Sequence, residues 1–199
     1  SAYWPTNGLI YTKQSVGGVT QPATRLVDGN KLKAGLTVVS ENPLYTQGDY
    51  NSVQKKPAAV ICDAYNILSN SWDDGSSTLG INDRVASNTT INVSFITGNT
   101  TTGEDGNNYN GGLENLPRFL ENWTNKSLKF RGSMVDLWES QQAKGKWSYG
   151  SYYTAPNRDW GFDTDLLDPN KLPPGTPMVN IVVKKQWVQL DGPPEPEED

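Results

Sequence analysis

Histidine is absent from this chain of 199 residues, and cysteine occurs once, at Cys62. The missing histidine removes the commonest general base, the commonest metal ligand and the usual partner of a catalytic serine or cysteine. A single cysteine cannot form an internal disulfide or build a zinc or iron–sulfur site. Because Val60 and Ile61 precede it, we expect Cys62 to be a buried thiol in a strand rather than a nucleophile.

Charge is also scarce, since charged residues make up only 20% of the sequence. Five of the 22 acidic residues lie in the tail DGPPEPEED, so the other 17 equal the 17 lysines and arginines in number. The sequence has no basic patch typical of a nucleic-acid partner and no run of 18 apolar residues that would span a membrane. We predict one domain over residues 1–190, followed by an acidic, proline-rich tail over residues 191–199.

Short apolar strands dominate the rest, separated by breakers that draw on 19 glycines and 13 prolines. Four segments share one pattern, in which a strand is followed by a small or polar corner and often by a second strand; they begin near residues 36, 58, 90 and 127. Such a repeat with loop insertions favours an all-β fold, a right-handed parallel β-helix (solenoid) with long loops. A β-sandwich is the alternative, although its short hairpin turns are rare in this sequence.

The stretch LTVVSENPLYTQGDY tests this fold prediction locally. In a β-helix, LTVV and PLYT lie on different faces of one coil, and AAVI stacks in parallel on one of them. Ser40, Asp63 and Gly132 are expected at corners. An antiparallel ladder between LTVV and PLYT would contradict the prediction.

The secondary structure assigned from the sequence contains one short helix, over LENLPRFLENW (113–123), where Leu113, Leu116, Leu120 and Trp123 recur at helical spacing. All other elements are strands. They are predicted at residues 9–12, 24–27, 36–39, 43–48, 58–69, 89–98, 127–138, 147–154 and 178–190.

Several segments together resemble an uncharacterised family of bacterial surface proteins found beside minor pilins of the PilX type and pilus-assembly proteins. The resemblance covers roughly residues 35–180, in the order GLTVVSENPLYTQGDYN, KPAAVICDAYNILSNSWDD, VASNTTINVSFITGN, YNGGLENLPRFLENW, FRGSMVDLWESQQA and YYTAPNRDWGFDTDLLDPNKLPPGTP. It implies an exported bacterial protein with a β-helix body, located at the cell surface or on a pilus or filament. The pilin-like hydrophobic helix of that family is not found in this sequence.

Carboxylates concentrate in RDWGFDTDLLDPN, which contains Asp159, Asp163, Asp165 and Asp168. Oxygen ligands of this kind suit Ca²⁺, the one cofactor that the sequence suggests. The competing interpretation is that these aspartates cap turns and accept hydrogen bonds from loop amides. A glycosidase pair is a further alternative, with Asp159 beside Trp160 or Asp136 beside Trp138.

Aromatic residues concentrate in WSYGSYYTAPNRDW. Exposed tyrosine and tryptophan rings form surfaces that contact sugars or proteins, whereas buried rings cover the side of a solenoid. The candidate binding residues are Trp147, Tyr149, Tyr152, Tyr153 and Trp160.

The sequence therefore leads to three functional hypotheses. The first is a non-catalytic extracellular structural module on the bacterial surface, which assembles with itself into oligomers or filaments or docks on a pilus protein. The second is an adhesin or carbohydrate-binding module that recognises a glycan. The third is a polysaccharide-active enzyme.

Overall fold

The computed structural model describes residues 3–15, 21–100, 112, 116–145, 147–179, 181, 183, 185–188 and 192. These residues form an all-β structure with short 3₁₀ helices at Asp74–Ser76, Ile81–Asp83, Thr164–Leu167 and Pro169–Lys171. None of their helices has the length and apolar character needed to cross a membrane. The strands are β1 (Leu9–Thr12), β2 (Thr24–Leu26), β3 (Leu36–Ser40), β4 (Leu44–Gln47), β5 (Ala58–Cys62), β6 (Tyr65–Leu68), β7 (Thr89–Asn92), β8 (Ser94–Asn99), β9 (Arg118–Phe119), β10 (Ser127–Gly132), β11 (Met134–Glu139) and β12 (Asn157–Phe162).

The described strands form three sheets, and every strand pair is parallel. Sheet one has the order β1-β3-β5-β8-β11, sheet two has β2-β4-β6-β9, and sheet three has β7-β10-β12. A Greek-key sandwich consists of antiparallel sheets, so this pairing does not fit the alternative fold.

The structure separates LTVV from PLYT and pairs AAVI with LTVV in parallel, as predicted. β3 and β4 belong to different sheets, and β5 pairs with β3 in parallel, with Leu36 opposite Ala58 and Val38 opposite Val60. Between the two strands, the Ser40 hydroxyl accepts a hydrogen bond from the Asn42 backbone N–H at 3.2 Å, which turns the chain from one sheet to the next.

Apolar side chains on neighbouring strands stack in register and form the core. In sheet one, Val38, Val60 and Phe95 occupy paired positions and have no exposed surface. The Phe95 ring contacts Tyr65 of sheet two and Phe130 of sheet three, with ring centroids 4.8 and 5.7 Å away. Contacts of this kind join the three sheets around one core.

The helix predicted over residues 113–123 is wrong for the part that the structure describes. Arg118–Phe119 form β9 instead and pair with Asn66 and Ile67 of β6. Phe119 and Trp123 are fully buried. Tertiary pairing and burial outweigh the helical spacing of the leucines, because a short helix has little stability of its own. Residues 113–115 lie outside the described residues.

Two predicted strands are also wrong for the parts that the structure describes. In the segment 147–154 the chain makes a turn, where the Gly150 N–H bonds to the Tyr153 carbonyl and the Tyr152 N–H to the Ser148 carbonyl. Gly150 has a φ of 81°, which favours glycine and interrupts an extended strand. In the segment 178–190 the described residues belong to no strand, since no neighbouring strand pairs with them. The tail 191–199 lies outside the described residues, apart from Gly192.

After β12 the chain turns back from sheet three to sheet one as a strap, which we define as residues 163–176. It begins beside β10, where the Asp163 N–H donates to the Gly132 carbonyl at 3.2 Å. It ends beside β3, where the Thr37 hydroxyl donates to the Pro174 carbonyl at 2.7 Å. The strap therefore connects the strands at the end of the chain with those at its beginning.

Candidate ligand-binding site

The four aspartates predicted as Ca²⁺ ligands have other partners in the structure. Asp159, on β12, forms an ion pair with Arg131 at 2.7 Å. Asp163 and Asp165 both bind the Lys55 ammonium, at 2.7 Å each. Asp168 accepts a hydrogen bond from the Asn170 backbone N–H at 3.0 Å, as a turn-capping residue does.

These contacts favour the capping and ion-pair interpretation of the aspartates over the Ca²⁺ interpretation. The Lys55 ammonium lies between two of the carboxylates, where a bound cation would have to lie. Among the described residues, no three His, Cys, Asp or Glu side chains are grouped so that they could hold a metal ion. Hydrogen bonds from Lys55 and Lys171 lower the pKa of Asp165 to about 2.

The two predicted acid–aromatic pairs lie in different sheets. Asp136 and Trp138 are in β11 of sheet one, whereas Asp159 and Trp160 are in β12 of sheet three.

The predicted aromatic surface is divided in the structure. Trp147 and Tyr153 stack with ring centroids 4.2 Å apart, and the exposed Tyr149 meets Tyr153 edge-on at 5.8 Å. Tyr152 is half-exposed beside them, while Trp160 packs on Phe130 in sheet three. Trp147, Tyr149 and Tyr153 therefore form one cluster that Trp160 does not join.

Beside Trp147 lies an open cavity of about 210 Å³, which we call the Arg118 pocket. Its wall includes Tyr45, Asn66, Arg118 and Trp147, together with apolar atoms of Pro43. An apolar and aromatic wall with a few convergent polar groups is the usual composition of a small-molecule site.

The outer face of sheet two builds the floor of this pocket. Alternate residues of a strand point to opposite faces, and the register places Tyr45 beside Asn66 and Asn66 beside Arg118. Their neighbours Thr46, Ile67 and Phe119 point inward and are fully buried. Packing of the inward residues thus fixes which side chains face the pocket.

A loop that follows β11 forms one side of the Arg118 pocket, and Asp63 holds it in place. The Asp63 carboxylate accepts hydrogen bonds from the backbone N–H groups of Gln141, Gln142 and Ala143, at 2.5, 3.1 and 2.9 Å. The Ser140 hydroxyl donates to the Asp63 carbonyl at 2.7 Å. Asp63 thus ties the corner between β5 and β6 to the loop that contacts Arg118.

Arg118 is the most unusual group in the pocket, because only 8% of its surface is exposed. Its Nη1 donates to the Ala143 carbonyl at 2.7 Å, and its guanidinium carbon lies 6.0 Å from the centre of the Trp147 ring. Burial lowers the pKa of the Arg118 guanidinium, an effect that the charge of Asp63 partly offsets.

Trp147, which faces Arg118, is also held in place by Phe119 and Tyr153. Its indole N–H donates to the Phe119 carbonyl at 2.8 Å, and its ring plane is tilted only 11° from that of Tyr153. A ring held in this way loses little freedom when a ligand packs against it.

Cys62 lies in the core, as predicted, with 1% of its surface exposed. Burial raises the pKa of the thiol to about 12. The thiolate is the reactive form of cysteine, so this residue is structural.

Sequence reasoning identifies Trp147 but misses Tyr45, Asn66 and Arg118. The helical spacing places Arg118 inside a helix over residues 113–123, which conceals that it faces the same side as the other two. Superposing the repeats beginning near 36 and 58, with a gap of one residue in the corner of the second, would place Tyr45 beside Asn66, since both follow the first inward residue of their strand. No family model matches this sequence, and the searches of curated proteins and of solved structures found no match either.

Proposed function

We propose that the chain is a right-handed parallel β-helix that serves as a non-catalytic surface module and binds a carbohydrate in the Arg118 pocket. The fold proposal rests on three parallel sheets whose strands recur in a fixed order along the chain. Right-handed connections are by far the commonest between parallel strands.

The observation that carries the binding function is the composition of the Arg118 pocket. Tyr45 and Trp147 offer aromatic surface to the apolar face of a sugar ring, and Asn66 and Arg118 add polar groups. The cavity, at about 210 Å³, is smaller than a typical drug-sized pocket and suits one or two sugar units. A location on the bacterial cell surface is part of the proposal and rests on the family resemblance of the sequence.

Titration of the purified chain with a panel of neutral and acidic mono- and oligosaccharides tests this function, with binding measured by calorimetry. We expect saturable binding, and we expect Trp147→Ala to weaken it about tenfold, or ~1.4 kcal/mol, through loss of ring contact. Trp187→Ala is the control, because Trp187 is an exposed tryptophan that is not part of the pocket wall. Binding that Trp147→Ala leaves unchanged, or no binding by any member of the panel, would contradict the proposal.

A second candidate function is end-to-end association, which would build an oligomer or a filament or dock the chain on a pilus protein. It is favoured by β1 and β11, the outer strands of sheet one, each of which has a sheet neighbour on one side only among the described residues. Edge strands of this kind are templates for pairing with another chain.

A further inference from the structure

Arg118 differs from Arg25 in how its charge is balanced. Arg25 occupies the same outward-facing row of sheet two and forms two hydrogen bonds with the Asp74 carboxylate, at 2.6 and 2.9 Å. Among the described residues, no carboxylate lies within ion-pair distance of Arg118. Its hydrogen bond to the Ala143 carbonyl involves one of five N–H groups that a guanidinium carries.

Asp63 is the acid whose charge acts on the Arg118 guanidinium, but its carboxylate forms hydrogen bonds with a loop instead. Its two oxygens accept three backbone N–H groups of the loop at 141–143, and this loop also supplies the Ala143 carbonyl to Arg118. Asp63 therefore orders the loop rather than forming an ion pair with the guanidinium. A buried charge without a direct counter-ion is costly, and an anion that enters beside it relieves that cost.

The Arg118 pocket adjoins this guanidinium, so an incoming ligand can reach it. Arg118 presents a planar fork of donors that matches a carboxylate through two parallel hydrogen bonds. Tyr45 and Trp147 line the same cavity and can hold the remainder of a small ring.

We propose that the Arg118 pocket recognises a carboxylate, so that its preferred carbohydrate is an acidic sugar of the uronate type. This inference rests on the proposed carbohydrate-binding function and names its substrate class. Arg118 binds the carboxylate, and the aromatic wall packs against the ring.

Matched pairs of ligands test the inference on the wild-type chain. Glucuronate is compared with glucose, and galacturonate with galactose, by calorimetry at equal ionic strength. We expect each uronate to bind about tenfold more tightly than its neutral partner, the gain typical of a charge-assisted pair of hydrogen bonds. Acetate, which has the carboxylate without the ring, should bind more weakly than either uronate and compete with both.

Variants then assign the preference to Arg118. Arg118→Gln should remove the preference for uronates and leave the weaker binding of neutral sugars. Arg118→Lys keeps the charge but loses the fork, so it should recover only part of the preference. Arg25→Gln, which changes an arginine of the same row already paired with Asp74, should leave binding unchanged.

The outcomes separate this inference from the function on which it rests. Equal affinity for uronates and neutral sugars would overturn the inference and leave carbohydrate binding in place. Acetate binding as tightly as glucuronate would support carboxylate recognition and overturn the carbohydrate assignment, whereas no binding of any ligand would overturn both. If Arg118→Gln fails to fold, the ligand pairs on the wild-type chain and the Arg118→Lys variant still decide.

Discussion

At the residue scale, the close approach of two backbone segments at Gly132 leaves no room for a larger side chain. Gly132 ends β10, immediately before the chain passes from sheet three to sheet one. A Cβ atom at this position would lie 1.9 Å from the Val93 carbonyl oxygen, which belongs to the backbone and cannot rotate away. Position 132 therefore requires glycine because the Val93 backbone, between β7 and β8, packs against it, and not because of its own backbone conformation.

We predict that Gly132→Ala lowers the free energy of unfolding by roughly 1–3 kcal/mol or more, the usual cost of overpacking. Urea unfolding followed by tryptophan fluorescence measures the change. Gly161→Ala is the matched control in the adjacent strand β12, since its Cβ would lie 3.5 Å from the Arg131 side chain, an ordinary contact. Equal stability of the two variants would contradict the packing argument.

Arg118 shows at the same scale why residue type alone does not reveal the Arg118 pocket. An arginine after Pro117 is unremarkable in the sequence, and only its burial against Trp147 and the commitment of Asp63 to a loop make it notable. These relations join residues that are far apart in the chain.

At the scale of elements, the strap over residues 163–176 is held by charges at its beginning and by close packing at its end. Lys55 bridges Asp163 and Asp165, and Lys171 binds Asp165 again at 2.9 Å. Near the end, a Cβ at Gly35 would lie 3.2 Å from the Pro174 ring, so the strap fits closely against the strands it crosses. Solvent screens the partly exposed pairs of Asp165 with Lys55 and Lys171, so their contribution to stability is modest.

We predict that acid loosens the strap through Asp165. The ion pairs lower its pKa from 3.8 to about 2. A carboxyl group whose pKa is lower in the folded state adds stability above its ordinary pKa and loses it as the pH falls through the folded pKa. Thermal unfolding measured between pH 7 and pH 2 should therefore show a fall in melting temperature below about pH 5, part of which Asp165→Asn removes.

Asp136→Asn is the control for this prediction, because it removes an exposed carboxyl group on β11, away from the strap. If Asp165→Asn and the wild-type chain lose stability in parallel below pH 5, the strap contacts do not contribute to the pH dependence.

Much of the element pattern could be predicted from the sequence. Alternation of apolar and polar residues locates β3 and β4 to within a residue or two, because a strand with one buried face shows that period directly. The strand predicted over residues 58–69 is instead two strands, β5 and β6, which belong to different sheets. The same signal misses β12, because its residues Asn157, Arg158 and Asp159 are exposed and polar. This strand is defined instead by its pairing with β10 at the edge of sheet three.

At the scale of the whole molecule, sheet one has an outer strand on each side that pairs with one neighbour only among the described residues. β1 is the outer strand at one end, and its Ile10 is 37% exposed beside Val38 of β3. β11 is the outer strand at the other end. Two different open edges on one chain favour head-to-tail contact, which can continue from copy to copy.

We predict concentration-dependent association that Ile10→Lys weakens, because a charge on the edge strand opposes pairing. Sedimentation velocity over a range of concentrations measures it, and negative-stain microscopy shows whether filaments form. Leu167→Lys, at an exposed position of the strap, is the matched control and should associate normally. A chain that stays monomeric throughout would remove end-to-end association as a function, and association that Ile10→Lys leaves intact would assign it to another surface.

The sequence by itself determined the all-β character, the positions of most strands and the burial of Cys62. Each of these follows from local composition and period, which persist whatever the rest of the chain does. The absence of histidine likewise limits the side-chain chemistry of this sequence independently of how the chain folds.

Only the tertiary structure decided that Arg118–Phe119 is a strand, that the four aspartates form ion pairs or cap turns, and that the Arg118 pocket exists. The physical reason is that burial and pairing depend on which residues meet across the sheets. Tyr45, Asn66 and Arg118 are separated by tens of residues in the chain, and the register of parallel strands makes them neighbours.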